Sequence, residues 1–249
     1  MNAKMQRLCS WCGVGCTVLW LLGFWPLAHF FAPHAPTWTP EHVATFYQTN
    51  TTLILCGLIL LGFGACLYLP WVAAITVQMR RIEGEYSVLS WAQLGLGSIF
   101  VWVFFLPVMI WIWIAYRPFD TPPELMWRMN DLAWLCFINP VCMIFFQGLA
   151  IGFAILSDRR AEPIFPRWAG FLNIWIVIVY LPGSLVPLFK TGPFAWNGIL
   201  AWWIPLTLFV IWMVSMTWLL LRAIRRQEIE AGEAPAIAAR PSVGKLAHT

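Results

Sequence analysis

The chain has 249 residues, of which 61% are hydrophobic and only 10% charged, with a mean hydropathy of +0.74 and a formal net charge of +4. A soluble domain carries roughly 25% charged residues, so this composition excludes a soluble globular protein and calls for lipid as the solvent. The small positive charge is a topology signal, and no nucleic-acid partner is expected.

A bilayer core of roughly 30 Å is crossed by about 20 apolar residues in a helix. Six apolar stretches meet that requirement, at about 11–31, 53–79, 89–116, 132–156, 168–189 and 199–221. The expected fold is an all-α integral membrane protein. Its six transmembrane helices form three hairpins that each start at the face holding the N-terminus. Residues 1–226 make up the six-span domain. The Ala-, Glu-, Arg- and Pro-rich residues 227–249 are expected to form a disordered cytoplasmic tail.

In span 1, Lys4 and Arg7 resemble the start of a signal peptide. The apolar run exceeds the 7–15 residues of a signal core, so the span is read as retained. Cys9, Cys12 and Cys16 lie along one side of its first half and are read as small packing residues. His29, His34 and His42 gather near its far end with Glu41, but their spacing fits no zinc motif. Thr39-Pro40-Glu41 instead has the form of a helix start, with a Thr N-cap, Pro at the first position and an acid in the first turn. A short outer helix from Pro40 leading into span 2 follows, with an apolar stripe of Val43, Phe46 and Tyr47.

Spans 1, 3 and 5 share landmarks. Each opens on a Trp (Trp11, Trp91, Trp168), and Pro26, Pro107 and Pro182 follow 15, 16 and 14 residues later. Each hairpin closes on a similar tag: Arg80-Arg81-Ile82-Glu83, Arg159-Arg160-Ala161-Glu162 and Arg225-Arg226-Gln227-Glu228. The pattern suggests a pseudo-threefold repeat with Pro kinks in helices 1, 3 and 5. The carbonyls of Leu22, Val103 and Ile178 would lose their partners. Three kinked helices around an axis along the membrane normal can enclose a cavity, as in repeat-built transporters.

Span 4 carries the informative polar residues. Asp131 sits near its start, one turn after Arg128, at a spacing that allows a local ion pair. Asn139 and Gln147 lie eight residues apart, about 80° around the helix, with Gln147 near mid-bilayer. Ser184 follows Pro182 in span 5. Asn139, Gln147, Ser184 and Asp131 are the candidate ligand-binding residues. Lys and Arg divide twelve to three between the two faces, with only Arg117, Arg128 and Lys190 on the minority side. The positive-inside rule places both termini in the cytoplasm, and a bacterial inner (plasma) membrane is the expected location.

The chain has no histidine boxes, no HExxH, no G-x-S-x-G and no phosphate-binding glycine loop. No catalytic residue, metal or cofactor is assigned, and an enzyme is the less favoured class. The first functional expectation is a protein that binds or transports a small apolar or amphipathic molecule. Its cavity would open outward and end near Gln147, lined by Trp and Met. The alternative is a non-catalytic accessory subunit of a membrane complex, with a membrane-protein partner or a second copy docked on a glycine-rich face. Gly13, Gly15, Gly62, Gly64, Gly95, Gly97, Gly148 and Gly152 are the candidates for that face. A lipid-modifying enzyme using Asp131, Glu124 or His29 comes third.

Overall fold

A computed structural model describes residues 3–238, which are helices and loops without a strand. Six helical segments are long and apolar enough to cross a membrane: Ala3–Leu27, Thr51–Glu83, Val88–Tyr116, Pro123–Ser157, Arg167–Leu188 and Ile199–Gly232. The chain therefore has the build of a polytopic membrane protein. Its large exposed side chains are correspondingly apolar, Trp25, Phe63, Trp102 and Trp175 among them.

We label the helices α1 (Ala3–Leu22), α2 (Pro40–Thr49), α3 (Thr51–Glu83), α4 (Val88–Tyr116), α5 (Pro123–Ile138), α6 (Val141–Ser157), α7 (Arg167–Tyr180) and α8 (Ile204–Ala238). The short outer helix predicted from Thr39-Pro40-Glu41 is α2: the Thr39 hydroxyl accepts from the His42 amide at 3.3 Å and Pro40 opens the helix. It packs on α5 through buried Val43 and Tyr47. α3 ends at Gly84, whose amide makes the last bond of the ladder to the Arg80 carbonyl and whose φ of 78° with ψ of −139°, a region open in practice to glycine alone, turns the chain away. The Glu83 carboxylate then accepts from the Leu89 and Ser90 amides at 2.9 and 2.7 Å and caps α4.

Close helix contacts depend on glycine. A Cβ on Gly23 would lie 2.8 Å from the Gly57 carbonyl oxygen, and one on Gly57 2.7 Å from that of Gly23, so α3 and the end of span 1 touch through bare backbone. On the other side of the bundle, a Cβ on Gly148 would meet Val177 at 2.3 Å and one on Gly152 would meet Ile174 at 2.8 Å, seating α6 on α7.

The three landmark prolines have three different surroundings. Pro26 lies in a wide π turn, Gly23–Leu27, that closes span 1. Pro107 is carried inside an unbroken α4. Pro182 ends α7 and starts a tight 3-10 segment, Leu181–Leu188, where the Leu181 amide takes the Ile178 carbonyl that Pro182 cannot bond. The tags also differ in role: Glu83 caps α4, Glu162 pairs with Arg226 at 2.8 Å, and Glu228 pairs with Arg7.

Span 4 departs most from its expected form. It starts at Pro123 and not near 132, and it is two helices, α5 and α6, separated at Asn139-Pro140. Pro140 offers no amide, and the Val141 amide turns back to the Asn139 carbonyl at 2.6 Å. The ladder is therefore interrupted by Pro140, a proline outside the repeating set. Arg128 pairs with Glu124 at 2.7 Å, one turn before it, and not with Asp131.

At the basic end, the residues expected to begin the tail continue α8 as far as Ala238. Gln78, fully buried on α3, donates to Gln6 Oε1 at 2.7 Å and Gln227 Oε1 at 3.0 Å and accepts from Arg81 at 2.8 Å. Arg81 also holds Glu230 at 2.8 Å. These bonds join the first residues of α1 to the end of α3 and to α8. Residues 239–249, the rest of the expected tail, lie outside the described residues.

Candidate functional site: an aromatic cavity within the bundle

Five of the six spans contribute to one cavity of about 120 Å³. α1 supplies Thr17, Trp20 and Leu21, and the π turn after it Phe24; α4 supplies Phe100, Val103 and Phe104. Phe137, Ile138, Pro140, Val141 and Ile144 come from either side of the break in span 4. Tyr180 and Gly183 come from span 5, and Ala201, Trp202, Pro205, Leu206, Phe209 and Val210 from span 6. Aromatic rings dominate the wall. Trp20 meets Phe104 edge-on at 4.0 Å and stacks with Phe137 at 5.6 Å, and Phe137 lies 6.0 Å from Trp202. The break in span 4 and the 3-10 segment of span 5 both border this space, because irregular backbone leaves room that two straight packed helices would fill. Ile138, Leu206, Phe209 and Val210 are half-buried, so the cavity reaches the surface along the flank of α8.

The polar groups on the wall are few, and three of them have committed their hydrogens. The Thr17 hydroxyl donates to the Gly13 carbonyl at 2.9 Å, the Tyr180 hydroxyl to the Pro205 carbonyl at 3.1 Å, and the Trp202 indole to the Phe31 carbonyl at 2.9 Å. The Trp20 indole nitrogen is buried without a partner, but its edge faces α3: a Cβ on Gly64 would lie 2.5 Å from Trp20 Cδ1 and 3.0 Å from Nε1. No charged side chain lines the cavity.

Beside this space runs a fully buried polar chain. The Tyr68 hydroxyl donates to Gln147 Oε1 at 3.0 Å, Gln147 Nε2 to Gln93 Oε1 at 3.3 Å, and Gln93 Nε2 to the Thr76 hydroxyl at 2.5 Å and the Val72 carbonyl at 3.1 Å. Gly97 leaves the space that Gln147 occupies, since a Cβ there would sit 2.6 Å from Gln147 Nε2. Deep polar groups in lipid need partners, and here α3, α4 and α6 supply them to one another. Trp71 to Thr217 at 2.9 Å and Trp212 to Asn173 at 2.8 Å tie in α8 and α7 in the same manner.

On the other side of the cavity wall, a fully buried layer of Phe30, Trp111 and Trp134 separates it from α2. His34 is embedded against that layer, 1% exposed, with Phe46 edge-on at 4.2 Å and Trp38 stacked at 4.6 Å. Asn130 Oδ1 accepts from the Tyr47 hydroxyl at 2.9 Å and lies 3.2 Å from His34 Nδ1. Nδ1 therefore carries the proton, leaving Nε2 as a buried acceptor with no partner. Burial pushes the His34 imidazole down to about 3, against a smaller upward pull from Asn130, and raises the Tyr47 phenol well above its ordinary range. This cluster was not foreseen. Its legible traces were His34 between two prolines and Tyr47 on the apolar stripe of α2; Asn130, which joins them, arrives from 96 and 83 residues away in sequence.

The four candidate ligand residues separate. Asn139 stands at the break in span 4, between Ile138 and Pro140 in sequence, but does not line the cavity, and its Oδ1 is buried and unpartnered. Gln147 is one turn beyond the lining residue Ile144 and is occupied by Tyr68 and Gln93. Ser184 is exposed and donates back to the Leu181 carbonyl at 2.5 Å. Asp131 is half-buried on α5 and outside the cavity wall. Trp lines the cavity as expected, whereas Met does not. The aromatic set from α4 and α8 was missed because apolar residues in a membrane helix carry no sequence mark of which face they line. No family model, curated protein or solved structure matches the chain.

Proposed function

We propose that this chain is a multi-pass protein of a plasma (bacterial inner) membrane that binds or carries a small apolar molecule within the bilayer, in the cavity between α1, α4, α6 and α8. Both termini lie in the cytoplasm, with three like-oriented hairpins and the basic rim on that side. The reading rests on one observation above the rest: a cavity of about 120 Å³ walled by aromatic side chains and free of charge. An engineered apolar cavity of about 150 Å³ stays dry and takes up benzene, so this space suits a single ring or a short hydrocarbon chain. A larger molecule would place only its end here and extend along α8. Small-molecule sites are mostly apolar with a few placed polar groups, and the hydroxyl oxygens of Thr17 and Tyr180 are the candidates for such groups.

The accessory-subunit reading receives less support. It needs small residues free on the lipid face. Of the eight candidates, Gly13, Gly64, Gly97, Gly148 and Gly152 are taken up by contacts within the chain, against Trp71, Trp20, Gln147, Val177 and Ile174; Gly15 is close to Leu67, and only Gly62 and Gly95 stand open.

Native mass spectrometry of the protein in mild detergent, with extraction of what stays bound, tests the proposal. The expected result is one retained small molecule that is lost on Val103→Phe, which fills the cavity from α4. Retention of a second polypeptide with bulk lipid alone would refute the binding role.

A further inference from the structure

The donor and acceptor inventory of the cavity narrows its ligand. Thr17 and Tyr180 have given their only hydroxyl hydrogens to the Gly13 and Pro205 carbonyls, so each oxygen has acceptor capacity left and no proton to offer. Trp202 has spent its single donor on Phe31. The Trp20 N–H edge is pressed against Gly64 on α3 and away from the cavity. The wall thus presents acceptors without donors and holds no cation. A carboxylate or a quinone, which both need donors or positive charge, finds none. A hydroxyl or N–H on an aromatic ring finds a free acceptor and aromatic walls at once.

Building on the binding role proposed above, we infer that the cavity selects an uncharged single-ring molecule bearing one hydrogen-bond donor, of the phenol class, and rejects acceptor-only and anionic rings. The ring lies among Trp20, Phe104, Phe137 and Phe209, and its donor is directed at Thr17 or Tyr180.

Fluorine-19 NMR on the full chain in phosphatidylcholine nanodiscs tests this, with empty nanodiscs correcting for partition into lipid. The probes are 4-fluorophenol, 4-fluorotoluene and 4-fluorobenzoate. The expected result is 4-fluorophenol bound about tenfold tighter than 4-fluorotoluene, the worth of one hydrogen bond, with 4-fluorobenzoate unbound. Thr17→Val with Tyr180→Phe should reduce that preference, read as the ratio of the two affinities, below about threefold. Thr17→Ser, which keeps the acceptor, should retain it. Equal binding of 4-fluorotoluene and 4-fluorophenol, or a preference that survives the double variant, would overturn the phenol-class assignment and leave the binding role standing. Absence of binding by every probe would overturn both.

Discussion

His34 is a buried neutral imidazole, and protonating it should unfold the end of the bundle that carries α2. Its ring is 1% exposed, Nδ1 donates to Asn130, and Nε2 faces an aromatic enclosure that offers no acceptor for a second proton. Burial holds the folded group at about 3, whereas an unfolded His titrates near 6.5. The unfolded chain therefore binds more protons throughout the interval between those values. Stability from this group is fully present above about pH 6.5 and declines as pH falls toward 3. Between pH 7 and 5 the loss is about 2 kcal/mol, in a window where ordinary carboxylates stay charged. The assay is reversible SDS unfolding in bicelles, followed by tryptophan fluorescence at pH 5, 6, 7 and 8, on the native chain and on His34→Phe. The variant should be less stable at pH 7, because Asn130 loses a partner, but its stability should hardly change between pH 7 and 5. A native chain and variant with the same pH slope would refute the reasoning.

Three further outcomes follow from the contacts described above. Gln147→Leu leaves the Tyr68 hydroxyl and Gln93 Oε1 unpaired and should cost about 2–4 kcal/mol; adding Tyr68→Phe should recover about 1 kcal/mol, and strict additivity in the double-mutant cycle would argue against the polar chain. Gly152→Val drives a side chain into Ile174 and the Gly170 carbonyl, and should sharply reduce the folded fraction on size-exclusion chromatography, whereas Gly95→Ala, with open space around it, should not. Arg128→Ala breaks an exposed pair with Glu124 and should shift unfolding by less than about 1 kcal/mol, with a larger shift pointing to a role for Arg128 beyond that pair.

The sequence by itself determined that this is a six-span helical membrane protein, because span length and apolar composition answer directly to bilayer thickness. It also marked the start of α2, because capping chemistry is local: Thr39, Pro40 and Glu41 act within one turn. Local signals located breaks less well. Pro182 and Pro140 both end helices, yet Pro107 and Pro70 are carried inside them, since neighbouring helices decide whether a freed carbonyl finds another partner. The candidate site was legible only in part. Asn139 and Gln147 were both marked by being amides in an apolar helix, but neither lines the cavity: Gln147 turns to Tyr68 and Gln93, and Asn139 stands at the break with its Oδ1 buried. The aromatic wall was not legible at all. In lipid the outward and inward faces of a helix are equally apolar, so hydrophobic periodicity, which separates core from surface in water, is lost. Only the packing of α1, α4, α6 and α8 decided which of the 18 Trp and 18 Phe residues face one another.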